Sequence, residues 1–323
     1  MKKQIRRIAL VLAVVLVGGM LAGCAKKPIA ADQVVMRVNG TDVTMQTYRY
    51  YYLSLKEQYD SGDSSYWTNH ADEEAELKAT ADQVLLQNMA YDVFLQEQGY
   101  TATDADRAAV DQQIESIIEY YGSDESFQKA LAAAYTTEEA YREMALRYRI
   151  IYRYLYDYNR EKYADEMDRY IRVKHVLVKV ASSDDSDGHS DEEALAIARQ
   201  VAQEARDGAD FDELVEKYGE DPGMVDNLDG YYFTDNGSMV AEFEEASFAL
   251  QEGEISDPVK SKHGYHVILR LPVEEEYLIS NFESIFSDDM YYEDFFDTMD
   301  EVVESLKVEY TKTYEKISVK TVQ

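Results

Sequence analysis

The sequence GEISDPVKSKHGYHVIL, residues 253–269, decides the fold of the middle of the chain. From Gly264 onward, apolar or aromatic side chains occupy every second position as far as Leu271, which predicts a strand. The segment 255–260 predicts a second strand just before it. The β-branched sequence IRVKHVLVKV at residues 171–180 predicts a third strand, far upstream.

Helices are predicted between these strands. Residues 191–206 place alanine and valine along one helical face, a shorter helix follows Asp210, and residues 239–248 form a third. The order of elements over residues 171–273 is therefore β-α-α-α-β-β. This order predicts a compact α+β domain.

Mainly helical segments flank this domain, at residues 34–170 and 274–323. The first opens with a predicted strand, an Asn39-Gly40 turn and a second strand. Helices are then predicted at 45–59, 72–98, 103–121, 123–135 and 137–166, and after the central domain at 277–305. An alternating stretch from Val308 ends the chain.

The N-terminus predicts secretion and a lipid anchor. Residues 1–23 combine four basic residues with an apolar run at 8–17 that is too short to span a membrane, as in a secretory signal peptide. The sequence Leu21-Ala22-Gly23-Cys24 resembles a bacterial lipobox, and Cys24 is the only cysteine. We expect Cys24 to be lipidated and residues 24–33 to be a tether, which places the protein at the cell membrane on its extracytoplasmic face. The alternative is an ordinary signal peptide, or an uncleaved anchor, with an incidental cysteine.

The charge excludes one class of partner. The chain has 32 basic and 64 acidic residues, and removal of residues 1–23 would change the net charge from −32 to −36. Nucleic acid is therefore not expected as a partner, because phosphate binding requires a basic surface. A single cysteine also excludes a disulfide framework and a cysteine-based zinc cluster.

Two of the five histidines occupy equivalent places in the central domain. His175 lies in the middle of its first predicted strand and His266 in the middle of its last. If the two strands are neighbours, the imidazoles can form a hydrogen bond across the sheet. The alternative is a pair of core histidines whose polar atoms are hydrogen-bonded and which have no catalytic role.

The central segment resembles a parvulin-type peptidyl-prolyl isomerase. The resemblance rests on the opening His175-Val176-Leu177-Val178 and on a long spaced pattern at the end of the domain. That pattern consists of Gly237-Ser238-Met239-Val240, Phe243, Ala246-Ser247-Phe248, Gly253 to Lys260, and Gly264 to Ile268. Val38-Asn39-Gly40 with a Tyr-rich helix is similar to the N-terminal segment of SurA/PrsA-type foldases. The resemblance implies a small antiparallel sheet with surrounding helices, inserted in a mainly helical chaperone domain.

The resemblance also implies the site. His175 and His266 would be the paired imidazoles beneath it, and Asp221 would face the carbonyl of the substrate's prolyl bond. Met239 and Phe243 would bind the proline ring, with Ser261 at the edge of the pocket. Neither a cofactor nor a metal is implied, since prolyl isomerisation breaks no covalent bond.

Two features depart from the family pattern. Family members carry a Gly-Gly-Asp-Leu-Gly-like run whose leucine helps to form the pocket, whereas residues 227–233 here are NLDGYYF. We expect a tyrosine or phenylalanine to replace that wall. The loop 181–190 is acidic, which argues against clients phosphorylated before proline, because phosphate would require Arg or Lys there. A calcium site in this loop is not expected, since Ala194 stands where such a loop needs a glutamate.

The predicted function is that of a membrane-anchored prolyl isomerase and chaperone for unfolded or partly folded secreted proteins. One alternative is a holdase that has the parvulin fold but weak catalysis. Another is a solute-binding lipoprotein, against which the long helical N-terminal half argues. The sequence leaves open whether the protein forms a homodimer.

Overall fold

A computed structural model describes residues 28–63, 65–181, 188–225, 227 and 229–322. The predicted signal peptide, Cys24 and the aspartates of the 181–190 loop lie outside the described residues. The chain forms two compact units. The first contains the described residues up to Leu155 together with those from Asp288 onward, and the second is Tyr156–Ser287.

The described residues contain helices and seven strands in the following order. The helices are α1 (Met45–Asp60), α2 (Tyr66–Asn69), α3 (Glu74–Glu97), α4 (Asp104–Tyr121), α5 (Asp124–Ala133), α6 (Glu138–Lys162), α7 (Ala164–Met167), α8 (Asp191–Arg206), α9 (Phe211–Tyr218), α10 (Pro222–Val225), α11 (Ala241–Ala249), α12 (Glu275–Ser280), α13 (Phe282–Ile285) and α14 (Glu293–Ser305). The strands are β1 (Val34–Val38), β2 (Thr41–Thr44), β3 (Ile171–Lys179), β4 (Tyr231–Phe233), β5 (Val259–Lys260), β6 (Gly264–Leu271) and β7 (Val308–Tyr310). Short 3₁₀ turns lie at Asp289–Tyr291 and Tyr314–Lys316.

A four-stranded antiparallel sheet is the centre of the second unit. Its order is β4-β3-β6-β5, so the first and last predicted strands of the domain are central neighbours. The register sets His175 opposite Ile268 and Leu177 opposite His266. The two histidines are thus diagonal neighbours on one face of the sheet, a spacing across which long side chains still meet.

Helices cover both faces of this sheet. Val176 and Val178 of β3 and Val267 of β6 pack against α8 and α9, whose contacting face is mainly alanine, valine and leucine. On the opposite face, Ile268 packs with Phe243 of α11 in a second buried cluster. Because side chains alternate along a strand, this second face is the one that carries the histidines.

The fold class predicted from the sequence, α+β with a small antiparallel sheet beside helices, is confirmed. The strand β4 and the short helix α10 were not predicted, and the strand expected at 255–260 is reduced to β5 and a single bridge between Ile255 and Leu269. The helix expected at 277–305 is divided into α12, α13, the 3₁₀ turn Asp289–Tyr291 and α14. At the break before that turn, the side chain of Asp288 accepts the N–H of Met290 at 3.1 Å. Such a bond competes with helical pairing.

The first unit joins the two ends of the described chain. Its sheet has the order β2-β1-β7, so the C-terminal strand pairs with the N-terminal one. The carboxylate of Asp82 on α3 is buried and accepts hydrogen bonds from three phenols: Tyr48 at 2.7 Å, Tyr310 at 3.1 Å, and Tyr314. This carboxylate ties α1 and the C-terminal segment to α3.

Part of the predicted tether is attached to the first unit. Ile29 donates its N–H to the carbonyl of Thr321 at 3.1 Å, and Met45 donates to the carbonyl of Gln33 at 2.8 Å. Among the described residues, no helix is both long enough and apolar enough to cross a membrane.

Candidate active site

The site is built around the two buried histidines of the central strands. The Nδ1 atoms of His175 and His266 are 3.1 Å apart, and both side chains are buried. The sheet register positions them, since residues paired diagonally on neighbouring strands project from the same face. The predicted contact between two imidazoles is therefore present in the structure.

A continuous chain of hydrogen bonds extends from this pair in both directions. On one side, His175 Nε2 is 2.9 Å from Asp221 Oδ2, and the same oxygen accepts the hydroxyl of Tyr231 at 2.9 Å. On the other side, His266 Nε2 is 2.7 Å from Ser261 Oγ. Asp221 keeps 25% of its side chain exposed, whereas Ser261 is buried. The chain therefore leads from a partly exposed carboxylate to a buried hydroxyl.

The carboxylate of Asp221 is held ionised. The hydrogen bond from His175 lowers its pKa most, and the bond from Tyr231 adds to the effect, so that the pKa is about 2. The second oxygen, Oδ1, accepts the backbone N–H of Gly223 at 3.2 Å in the turn that follows Pro222. Asp221 is thus a fixed anion with donors at both oxygens.

The ionised Asp221 sets the direction of the chain. For two neutral rings, His175 donates from Nε2 to the carboxylate, so its Nδ1 accepts from Nδ1 of His266. Nε2 of His266 then accepts the hydroxyl of Ser261, whose oxygen accepts the N–H of His263 at 3.1 Å. Burial lowers the pKa of His266 to about 3, with the nearby His175 as a further cause, and a neutral His266 is what this direction requires.

Aromatic and apolar side chains cover the histidines. The ring of Phe243 lies edge-on to His175, with centroids 4.9 Å apart, and 5.2 Å from His266. Phe233 packs against Phe243 at 5.9 Å, and half-buried Met239 packs against the same cluster. Of the residues proposed for the proline ring, Met239 and Phe243 therefore share one apolar cluster directly above the imidazoles.

All six residues predicted for the site belong to the second unit. Asp221, His175, His266 and Ser261 form the hydrogen-bonded chain. Phe243 contacts both imidazoles, and Met239 packs in the same apolar cluster as Phe243. Ser261, expected at the edge of the pocket, is buried and hydrogen-bonded to His266. Lipidation of Cys24 stays a prediction, because Cys24 lies outside the described residues. Among the described residues, no group of three or more His, Cys, Asp or Glu side chains is placed to hold a metal ion.

The role of Tyr231 was not predicted from the sequence. An aromatic residue of the 227–233 run was expected to form an apolar wall, and Phe233 does pack in the apolar cluster. Tyr231, however, directs its hydroxyl to Asp221. Gly230 permits this arrangement because its φ is +91° and a Cβ there would lie 2.7 Å from the carbonyl oxygen of Val173. A glycine before the tyrosine, in a run expected to form a pocket wall, was the available signal.

Comparison with known proteins gives two matches to family models. Residues 175–271 match the PPIC-type PPIase domain, and residues 1–155 match the SurA-like N-terminal domain. The first match covers most of the sheet, from His175 to the end of β6, and every residue of the candidate site. The second unit thus contains a parvulin-type peptidyl-prolyl cis-trans isomerase domain.

Curated relatives extend the match along the chain. The foldase protein PrsA of Caldanaerobacter subterraneus is 30% identical over 275 residues, which cover 81% of this chain and 81% of that protein. The PrsA of Geobacillus kaustophilus is 33% identical over 60% of this chain and 63% of its own length. The crystal structure of PrsA from Bacillus subtilis is 18% identical in sequence, and the match covers 85% of this chain and 92% of the Bacillus chain, with a TM-score of 0.32. On the sequence relationship, the chain belongs to the PrsA family of foldases.

Proposed function

We propose that this foldase is anchored through Cys24 to the outer face of the cytoplasmic membrane, where it isomerises Xaa-Pro bonds of secreted proteins as they fold. The observation that supports the catalytic part best is the chain of hydrogen bonds from Tyr231 to Ser261 beneath an apolar cluster. The lipobox-like sequence before Cys24 supports the location. Clients with exposed Xaa-Pro bonds are the proposed partners.

The chemistry required is rotation about one bond. A prolyl amide resists rotation by about 18–20 kcal/mol, because the carbonyl oxygen shares charge with the nitrogen through resonance. In the twisted transition state this resonance is lost, so the oxygen carries less negative charge. A site lowers the barrier when it binds the twisted form more tightly than the planar one.

The residues present match these requirements. An ionised Asp221 beside the carbonyl oxygen would repel the planar, more polar amide more strongly than the twisted one. Phe243 and Met239 would hold the proline ring by apolar contact. The His175–His266 pair would fix Asp221 in place and in its ionised form, without exchanging a proton with the substrate.

A protease-coupled prolyl-peptide assay tests this proposal. We expect wild-type protein to accelerate isomerisation, and Asp221→Ala and His266→Ala to lower kcat/KM by about tenfold or more, equivalent to about 1.4 kcal/mol. Asp235→Ala is the matched control, because Asp235 is an exposed carboxylate of the same unit that pairs with Arg169. Unchanged rates in the two site variants would refute the catalytic role of the chain.

The same variants distinguish the holdase alternative. If the protein is only a holdase, the wild type and Asp221→Ala should suppress the aggregation of an unfolded protein equally well, and neither should have isomerase activity.

The anchor is tested in cells: Cys24→Ser should move the protein from the membrane fraction to the medium. Retention of that variant in the membrane would reject Cys24 as the anchor.

A further inference from the structure

The two ends of the described chain meet at one edge of the first unit. Besides the bond from Ile29 to Thr321, the carbonyl of Ile29 accepts the guanidinium of Arg49 at 3.0 Å. The hydroxyl of Thr321 donates to the carbonyl of Lys316 at 2.7 Å, and Val322 is fully buried. The bond from Ile29 to Thr321 joins residues 28–31 to residues 316–322, and we name this pair of segments the terminal edge.

The terminal edge has the opposite charge to the protein as a whole. Residues 28–31 and 316–322 contain two lysines and no acidic residue, whereas the chain from Cys24 onward has a net charge of −36. Lys316 and Lys320 of the edge are exposed, as is Lys312 just before it. Lys26 and Lys27 precede the edge in the sequence. Exposed Asp32 and Glu315 adjoin the edge in the sequence, and Glu74 contacts it by accepting the N–H of Val319 at 2.8 Å.

The predicted anchor lies close to this edge. Only residues 25–27 separate Cys24 from the first described residue, Pro28, and that stretch of chain spans at most ~14 Å even when fully extended. A charge is screened in physiological salt over about 8 Å. If Cys24 is lipidated, the start of the terminal edge therefore lies within ~14 Å of the anchor, and docking of the edge would bring its lysines within the screening length of the headgroups.

We propose that the terminal edge docks on anionic lipid headgroups and so orients the anchored protein. This inference rests on the proposed anchoring through Cys24. The length of chain before Pro28 and the reversal of charge both favour a bilayer as the occupant over a second copy of this acidic chain. Each lysine close to an anionic surface should tighten binding by about fivefold.

The unique cysteine permits a direct test. The chain from Cys24 to Gln323 contains all the described residues, and a single alkyl chain can be attached to the Cys24 thiol chemically. One acyl chain gives only marginal binding, so the contribution of headgroups remains visible. Partitioning is measured on phosphatidylcholine vesicles with and without phosphatidylglycerol, at low and at high salt.

We expect tighter binding to the phosphatidylglycerol vesicles at low salt, with the preference lost at high salt. Lys316→Gln with Lys320→Gln should weaken that binding by about fivefold per lysine. The control is Lys129→Gln with Lys217→Gln, which removes the same charge from exposed lysines outside the edge. Equal losses in both variants, or no preference for the anionic vesicles, would overturn the proposal. Binding of a second copy of this acidic chain through the edge, without any lipid preference, would overturn it too. Because the alkyl chain is attached chemically, this result is independent of whether cells process Cys24, which the Cys24→Ser variant tests separately.

Discussion

Replacement of Tyr231 by phenylalanine removes a single hydroxyl from the site. That hydroxyl donates to Oδ2 of Asp221 at 2.9 Å, the same oxygen that accepts from His175. The ring of Tyr231 would remain beside His175, with centroids 5.7 Å apart in the wild type. The variant therefore isolates one hydrogen bond to the carboxylate.

The size of the effect follows from the charge and exposure of Asp221. A hydrogen bond to a charged group contributes about 1.5–3 kcal/mol, and one pKa unit corresponds to about 1.4 kcal/mol. Because 25% of the Asp221 side chain is exposed, water replaces part of the lost bond. We expect the pKa of Asp221 to rise by about one unit from its value of about 2, and kcat/KM at neutral pH to fall about fivefold through looser positioning.

The direction in which the pKa of Asp221 is shifted fixes the sign of the pH dependence of kcat/KM. The folded-state pKa of Asp221 is lowered, so the anion is present above that pKa and is lost as the pH falls through it. In Tyr231→Phe, the acid limb of the kcat/KM profile should therefore move to higher pH by about one unit. The profile is measured by the coupled assay with an acid-tolerant protease, and the carboxyl titration by NMR.

Two further variants complete this experiment. Tyr232→Phe is the matched control, because the neighbouring ring stacks on Tyr277 at 4.3 Å and its hydroxyl has no bond to Asp221. Gly223→Ala should act like Tyr231→Phe, since a Cβ at residue 223 would lie 2.4 Å from the Tyr231 hydroxyl. An acid limb that stays in place in Tyr231→Phe, or moves as far in Tyr232→Phe, would refute the positioning role of Tyr231.

Three other predictions concern stability. The pKa of His266 is lowered from 6.5 to about 3, so between these pH values the unfolded chain binds a proton that the folded chain does not. The free energy of unfolding in urea should therefore fall below pH 6.5 by about 1.4 kcal/mol per pH unit more in the wild type than in His266→Gln. Plots of unfolding free energy against pH that run parallel for the two proteins would contradict this. Asp82→Asn should destabilise the first unit by about 2–4 kcal/mol, because an amide cannot accept from three phenols, and thermal denaturation of Asp82→Asn beside exposed Asp92→Asn measures the difference. Gly264→Ala should cost about 2–4 kcal/mol or prevent folding, since a Cβ would lie 2.1 Å from the carbonyl oxygen of Val178; wild-type stability in that variant would show that the strands can separate there.

The strands of the central domain could be predicted because apolar and polar side chains alternate along them. Period-two spacing after Gly264 identified β6, and the central positions of His175 and His266 suggested that the two rings meet. The register that makes them diagonal neighbours is a tertiary property, set by packing on both faces of the sheet. It could be expected from the resemblance but not from either strand alone.

Other parts of the site depended on contacts that local sequence does not encode. Strand β4 has three residues, too few for a periodic signal, and it forms because β3 offers an edge. The bond from Tyr231 to Asp221 joins residues ten positions apart through an irregular turn. Ser261 was recognised as polar and near the site, but its burial and its bond to His266 depend on how the 261–264 turn closes against β6.

Exchange NMR on an Xaa-Pro peptide provides the most direct test of the proposed mechanism, because it observes cis–trans interconversion without a coupling protease. Catalytic amounts of the wild-type chain should produce exchange cross-peaks between the two isomers. The isomers should interconvert far faster than the tens to hundreds of seconds of the uncatalysed reaction. Asp221→Ala should lose most of that rate while the peptide still binds, as judged by line broadening at Phe243 and Met239. Full exchange in Asp221→Ala would contradict the assignment of catalysis to the fixed anion above the histidine pair.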